Sequence, residues 1–133
     1  MIHTTTHRLR FNDTDRLGHV NNAVFAVMLE QGRSELALEA GLPIESGTAV
    51  LVIVRLELDF LREMAWPGEV TVETGVARLG GRSFTLHQRL LSAGELCARA
   101  ATVLVVMDRA ARRALPLDGQ WRDSLTRWLE PST

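Results

Sequence analysis

Hydrophobic and polar residues alternate through most of this chain, and one long break in that alternation marks a helix. Over residues 6 to 12, His7, Leu9 and Phe11 fall on one face and Thr6, Arg8, Arg10 and Asn12 on the other, the period of a half-buried strand. The turn-forming run Asn12-Asp13-Thr14-Asp15-Arg16-Leu17-Gly18 then interrupts it. From about Asn22 to Ala40 apolar positions recur three or four residues apart, at Phe25, Leu29, Gly32 and Leu36, with Val24 and Met28 widening the stripe. This spacing predicts a buried central helix, capped by Asn21 or Asn22 and stopped by Gly41 and Pro43. Alternation then returns. Val50, Val52, Val54, Leu56, Leu58 and Phe60 predict one face of a long strand, with Arg55, Glu57 and Asp59 on its solvated face. Further strands are expected over residues 70–76, 84–90 and 96–107, set off by Pro67-Gly68, Gly80-Gly81 and Ala93-Gly94. Asp118 is placed to cap a short terminal helix carrying Trp121, Leu125 and Trp128.

The order is strand, long helix, four strands in a meander, then a short helix. It predicts an α+β domain, an antiparallel sheet curled around one apolar helix. Neither a repeat nor a linker divides the chain, so residues 1–133 read as a single domain, a size that one core can serve.

Charge and residue usage narrow the chemistry. The 15 basic and 16 acidic residues leave a net charge of -1, which provides no general pull toward nucleic acid. All the basic residues are Arg and Tyr is absent, excluding a Lys Schiff base, a P-loop Lys or a Tyr acid. A single cysteine, Cys97, allows no internal disulfide and no multi-thiolate metal site, as expected in a reducing cytoplasm. The polar first residues lack the apolar run of a signal peptide, and no stretch is apolar for the length of a membrane span. A cytoplasmic protein with neither membrane nor nucleic-acid partner is expected.

One segment concentrates reactive groups. In Asp13-Thr14-Asp15-Arg16-Leu17-Gly18-His19-Val20-Asn21-Asn22, two carboxylates and an imidazole precede the start of the predicted helix. A helix N-terminus offers unpaired N–H groups and about half a positive charge, and can stabilise an oxyanion forming on a carbonyl. A carboxylate beside such donors is what acyl transfer requires. Read without further context, Asp15 and Asp13 are equally turn residues, and Asn21 and Asn22 equally helix caps.

This motif, followed by a helix containing Phe25, Glu30 and Arg33, resembles the 4-hydroxybenzoyl-CoA thioesterase family of the hot-dog superfamily. Leu58-Asp59-Phe60-Leu61-Arg62-Glu63, Pro67-Gly68, Val70-Thr71-Val72-Glu73-Thr74 and Gly81-Arg82-Ser83-Phe84 are also similar to that family, in order, over most of residues 7 to 107. The resemblance implies a hot-dog fold: a five-stranded antiparallel sheet around a long central helix, with a short C-terminal helix. It implies hydrolysis of an acyl-CoA thioester, with Asp15 as nucleophile or general base and the backbone amide of Asn22 polarising the carbonyl. An ordinary Asp is ionised at neutral pH and suits either role.

By the same resemblance His19 orders the loop or the carboxylate, although a histidine bonding backbone reads equally well. Arg82, with Ser83 beside it, stands where the family places a basic residue near the coenzyme A phosphates. Glu30 could face the pocket from the helix, as in a related branch. Thiolates leave readily, so neither a metal nor a cofactor is required, coenzyme A being part of the substrate. Family members pair as homodimers or homotetramers with the site between protomers. Two departures leave the acyl group open: Phe25 stands where many relatives have Tyr, and His19-Val20-Asn21-Asn22 is closer to the aliphatic than to the hydroxybenzoyl branch. Two rivals share the fold, a 3-hydroxyacyl thioester dehydratase using His19 and a non-catalytic acyl-CoA-binding module. Cys97 is expected to pack, Trp66, Trp121 and Trp128 to pack or to anchor an interface, and His87 to face outward onto a wet or interface surface.

Overall fold

Pairing between distant strands decides where each predicted element ends. In the computed structural model, which describes residues 1–43 and 45–131, the chain runs β1 (His3–Arg8), α1 (Asn22–Ala40), β2 (Glu45–Ser46), β3 (Ala49–Phe60), β4 (Glu69–Leu79), β5 (Ser83–Ser92), β6 (Glu95–Asp108), β7 (Arg113–Ala114) and α2 (Gly119–Thr126). The sheet order is β1-β4-β5-β6-β3-β2, with β7 on β6, and its ladders are antiparallel. Five long strands and two of only two residues thus wrap one long helix, with the short C-terminal helix at the side, as the hot-dog expectation requires.

Three sequence expectations change. First, β1 stops at Arg8 because its partner β4 begins opposite, at Glu69; Phe11 falls in a 3₁₀ turn (Phe11–Asp13) and is 67% exposed rather than facing the core. Second, the last four strands are not one meander. Tight turns force β4, β5 and β6 to be neighbours, whereas residues 61–68 carry the chain across the helix, leaving β3 to pair with β6 at the far side. Third, a bulge between Ile53 and Arg55 switches the faces of β3. Leu51 and Ile53 lie opposite the inward Val106 and Leu104, so Val50 and Val52 point outward while Leu56, Leu58 and Phe60 point inward.

The helix is bounded as its sequence predicts. Asn21 is the N-cap, its Oδ1 accepting from the Ala23 amide, and Gly41 closes the other end at φ 72°, a left-handed cap that favours glycine. Gly32 sits where α1 presses hardest on the sheet: a Cβ there would lie 2.5 Å from Val72 Cγ1 and 3.0 Å from Gln88 Nε2. The core forms two clusters. One gathers Phe25, Leu29, Met64, Val70, Val72 and Leu90 near the start of α1; the other gathers Leu36, Val76, Phe84, Leu104, Leu125 and Trp128 near its end. Between them the buried side chains are polar: Arg33, Thr74, Gln88 and Thr102. Among the described residues, no helix is long and apolar enough to cross a membrane.

Candidate active site

The segment entering α1 is held as a tight double strand. Thr14 bridges Val20, the Asp15 amide donates to His19 O at 2.8 Å, and the Asn21 amide donates to Asp13 O at 2.8 Å. Its outer side is anchored to the residues following β3, through Val20 N–H to Met64 O at 2.7 Å and a bridge between His19 and Ala65. The two aspartates do different work here. Asp13 is buried, its carboxylate accepting from the Arg10 amide (2.8 Å) and Arg10 Nη2 (3.1 Å), so it builds the turn. Asp15 is exposed, and its Oδ1 accepts from the Leu17 amide at 2.8 Å and the His19 amide at 3.2 Å. Its Oδ2 makes no hydrogen bond among the described residues. One oxygen is tethered and the other is available.

The helix N-terminus shows a matching asymmetry. The Asn21 amide bonds Asp13 O, the Ala23 amide bonds Asn21 Oδ1 and the Val24 amide bonds Asn21 O. The Asn22 amide makes no hydrogen bond among the described residues, and Asn22 is exposed. A single first-turn donor is therefore left for an external acceptor, at the positive end of a nineteen-residue helix.

His19 touches Asp15 through its backbone alone, its amide donating to Oδ1 and its carbonyl accepting from the Asp15 amide. Its ring goes elsewhere, with Nε2 3.2 Å from Glu63 Oε2. Glu63 thus belongs to the site's surroundings, a role its position in sequence does not suggest. Glu30 is exposed on α1, two turns beyond Asn22. Arg82 and Ser83 are not brought near Asp15. They lie at the opposite end of the sheet, where Arg82 Nη1 donates to Ala114 O at 2.9 Å and Ser83 pairs with Val105. Cys97 is buried, and that burial pushes its thiol up from the ordinary range. His87 faces outward and pairs with Glu130 at 3.2 Å. Trp128 is buried, whereas Trp66 is 43% exposed and meets Phe11 edge-on. Among the described residues, no three His, Cys, Asp or Glu side chains come together as a metal-holding group. Asp15 lines neither of two cavities of the single chain: one of about 640 Å³ lies on the outer sheet face, and one of about 500 Å³ beside Cys97 is walled by Glu63, Met64 and Ala65, which contact the Asp15 loop from the other side.

A sheet curled around a helix that keeps its first amide free beside a tethered carboxylate places this chain among the hot-dog-fold thioester hydrolases. The model of the thioesterase-like superfamily matches residues 9–129, and the chain belongs to that superfamily. It is 28% identical over 123 residues to the long-chain acyl-CoA thioesterase FadM of Escherichia coli, covering 89% of this chain and 92% of FadM. It is also similar to a predicted thioesterase from Bacillus stearothermophilus (TM-score 0.89, 30% identity, 100% of both chains). A thioesterase from Thermus thermophilus, solved in complex with coenzyme A and Zn, matches with TM-score 0.83 and 31% identity over 94% of this chain and 92% of its own.

Proposed function

We propose that this protein hydrolyses acyl-CoA thioesters in the cytoplasm, with the Asn22 amide polarising the carbonyl and Asp15 acting as nucleophile or general base. The observation that carries this reading is that one unused helix donor and one unused carboxylate oxygen belong to the same hydrogen-bonded segment entering α1. The carbonyl oxygen accepts from Asn22 N–H, where charge developing on it meets the helix dipole. Asp15 Oδ2 either attacks the carbonyl carbon, expelling the coenzyme A thiolate and leaving an anhydride that water then hydrolyses, or takes a proton from a water whose oxygen attacks the carbon and displaces the thiolate. The chemistry uses no cofactor. FadM's acyl-CoA substrate and the coenzyme A bound by the Thermus relative support the choice of ester.

The working form is a homodimer or a pair of dimers. From Leu51 to Phe60, β3 has no neighbour on its outer edge among the described residues, and the inward Ile53, Leu56 and Phe60 are each more than two-fifths exposed. A bare apolar edge of this length is a template for pairing. Asp15 sits beyond the C-terminal end of β3, and Arg82 is level with its N-terminal end, about 30 Å away at roughly 3.3 Å per residue. Antiparallel pairing of two β3 edges brings each loop to the partner's Arg82 end. That arrangement lets Arg82 and Ser83 meet the phosphates of a coenzyme A whose thioester lies at Asp15, with Glu30 facing the same space.

Thiol release over a panel of acyl-CoAs, comparing the wild type with Asp15→Asn, tests the reading. Turnover is expected to fall by about 10² or more, roughly 2.7 kcal/mol of barrier, with substrate binding retained. Equal turnover in the two proteins overturns the assignment of Asp15. Saturable binding without thiol release identifies an acyl-CoA-binding module instead, and loss of water from a 3-hydroxyacyl ester a dehydratase.

A further inference from the structure

Arg33 is 95% buried, yet its one hydrogen bond among the described residues is from Nη1 to the neutral Gln88 Oε1, at 3.2 Å. No carboxylate lies within ion-pairing distance among the described residues. Glu30, one turn earlier, favours the cation only from a distance, and burial lowers the affinity of the guanidinium for its proton. A buried cation with only a neutral partner is destabilising, and an apolar side chain of similar volume would hold the fold as well or better. On the same face of the sheet, Thr102 Oγ1 is buried with no partner among the described residues. Thr102 lies two residues along β6 from Ala100, the residue opposite Gln88.

The surroundings say from which side a partner can come. Residues 26, 30, 33 and 37 form one flank of α1, while Glu35 and Glu39 on the other flank pair with His7 and His3 of β1. The helix rests on β4, β5 and β1, so the Arg33 flank faces β6, whose inward row is buried, and β3, whose inward Ile53, Leu56 and Phe60 are exposed. Phe25 and Phe60 close the start of this trough edge-on at 5.2 Å. Gln88 Nε2 donates to Leu29 O at 2.9 Å, which sets the guanidinium level with Leu29. That is seven residues beyond Asn22, about 10 Å along the helix.

We propose that Arg33, with Thr102, is the polar end of the acyl channel and selects acyl groups carrying a carboxylate or another hydrogen-bond acceptor about 10 Å from the thioester. The proposal rests on the thioesterase reading for the identity of the ligand. An acyl chain entering at Asn22 would pass between α1 and the inward row of β3, beside Phe25 and Leu58, and end at the buried Arg33 cation. Its terminal oxygens accept from the free edge of the guanidinium, and Thr102 Oγ1 supplies a further donor.

The test compares octanoyl-CoA with suberoyl-CoA, the same chain ending in a carboxylate. It measures both thiol release and, by calorimetry, binding of the two corresponding non-hydrolysable thioethers. The wild type is expected to favour the carboxylate-ended ligand by about tenfold or more in Kd and in kcat/KM. Arg33→Met should abolish that preference, and Thr102→Val should weaken it. The wild-type preference decides even if Arg33→Met fails to fold. Equal binding of the two thioethers, or a preference that survives Arg33→Met, overturns the proposal. Because binding is read separately, a wild type that prefers the carboxylate but releases no thiol refutes the hydrolase reading and leaves the Arg33 site standing.

Discussion

Replacing Gly32 by alanine sets two physical effects against each other at the most crowded point of the fold. Helix propensity alone says the change is stabilising, by about 1 kcal/mol, since glycine in a helix interior costs backbone entropy. Packing says the opposite. The new methyl would stand 2.5 Å from Val72 Cγ1, 3.0 Å from Gln88 Nε2 and 3.2 Å from Thr74 Oγ1. Val72 is fully buried and short, so it cannot swing aside. Overpacking of this kind costs about 2 kcal/mol. Displacing Gln88 disturbs its bonds to Leu29 O and Thr74 Oγ1, which adds about 1 kcal/mol. The net expectation is destabilisation by about 2 kcal/mol, a fall of about 7 °C in Tm for a chain of this length.

Thermal and urea unfolding at one fixed protein concentration would measure it, since assembly makes Tm depend on concentration. The double variant Gly32→Ala with Val72→Ala removes the atom that clashes, so the two changes should couple favourably by about 1 kcal/mol or more. An unchanged or raised Tm for Gly32→Ala would mean that the helix stands off the sheet, and the polar layer beneath it would have to be redrawn.

Three other outcomes follow. Arg82→Ala should raise KM for coenzyme A esters more than for pantetheine esters, which lack the nucleotide phosphates; equal changes would remove Arg82 from the phosphate site. Leu56→Lys, placing a charge on the bare β3 edge, should shift the protein toward monomer in sedimentation and lower thiol release in parallel; full activity as a monomer would mean that one chain holds a complete site. Burial holds the Cys97 thiol above its ordinary range, so the folded state prefers the protonated form. That contribution is present below the unfolded value of about 8.5 and is lost as pH rises toward the folded one, so alkaline unfolding should be shallower in Cys97→Ala. Identical alkaline slopes would refute this.

The elements were legible in the residues, and their spatial order was not. The helical period between Asn22 and Ala40, the Asn21 cap and the Gly41 stop all correspond to local chemistry, and α1 has those bounds. Strand order is set by how far a connection can reach, and alternation does not encode it; hence β3 lies at the far side, away from β4. The bulge after Ile53 was hidden for a related reason, because a run of apolar residues alternates acceptably in either register. In the site, the Asp15 loop and the helix N-terminus were readable because they are contiguous in sequence. The contact of His19 with Glu63 and the seat of Arg33 on Gln88 join residues 44 and 55 positions apart, and nothing in their spacing announces them.

The two flanks of α1 are built differently, and that difference locates function within the fold. Toward β1 the helix meets His7 through Glu35 at 3.9 Å and His3 through Glu39 at 3.0 Å, although Glu35 Oε2 and His3 Nδ1 are themselves buried without a partner among the described residues. Toward β3, among the described residues, the Asn22 amide is unbonded, the Arg33 cation has no carboxylate, Thr102 Oγ1 has no partner and a row of apolar side chains is exposed. Each of these is destabilising for an isolated chain, and together they occupy one side of one helix. A second chain on the β3 edge can cover the apolar row. On the reading proposed above, the polar groups are met by an acyl ester whose carbonyl reaches Asn22 and whose far end reaches Arg33, so that occupancy of the site and stability should rise together. Titration with the carboxylate-ended thioether should accordingly raise Tm in the wild type more than in Arg33→Met, and an equal rise in both would break the link between the polar layer and the ligand.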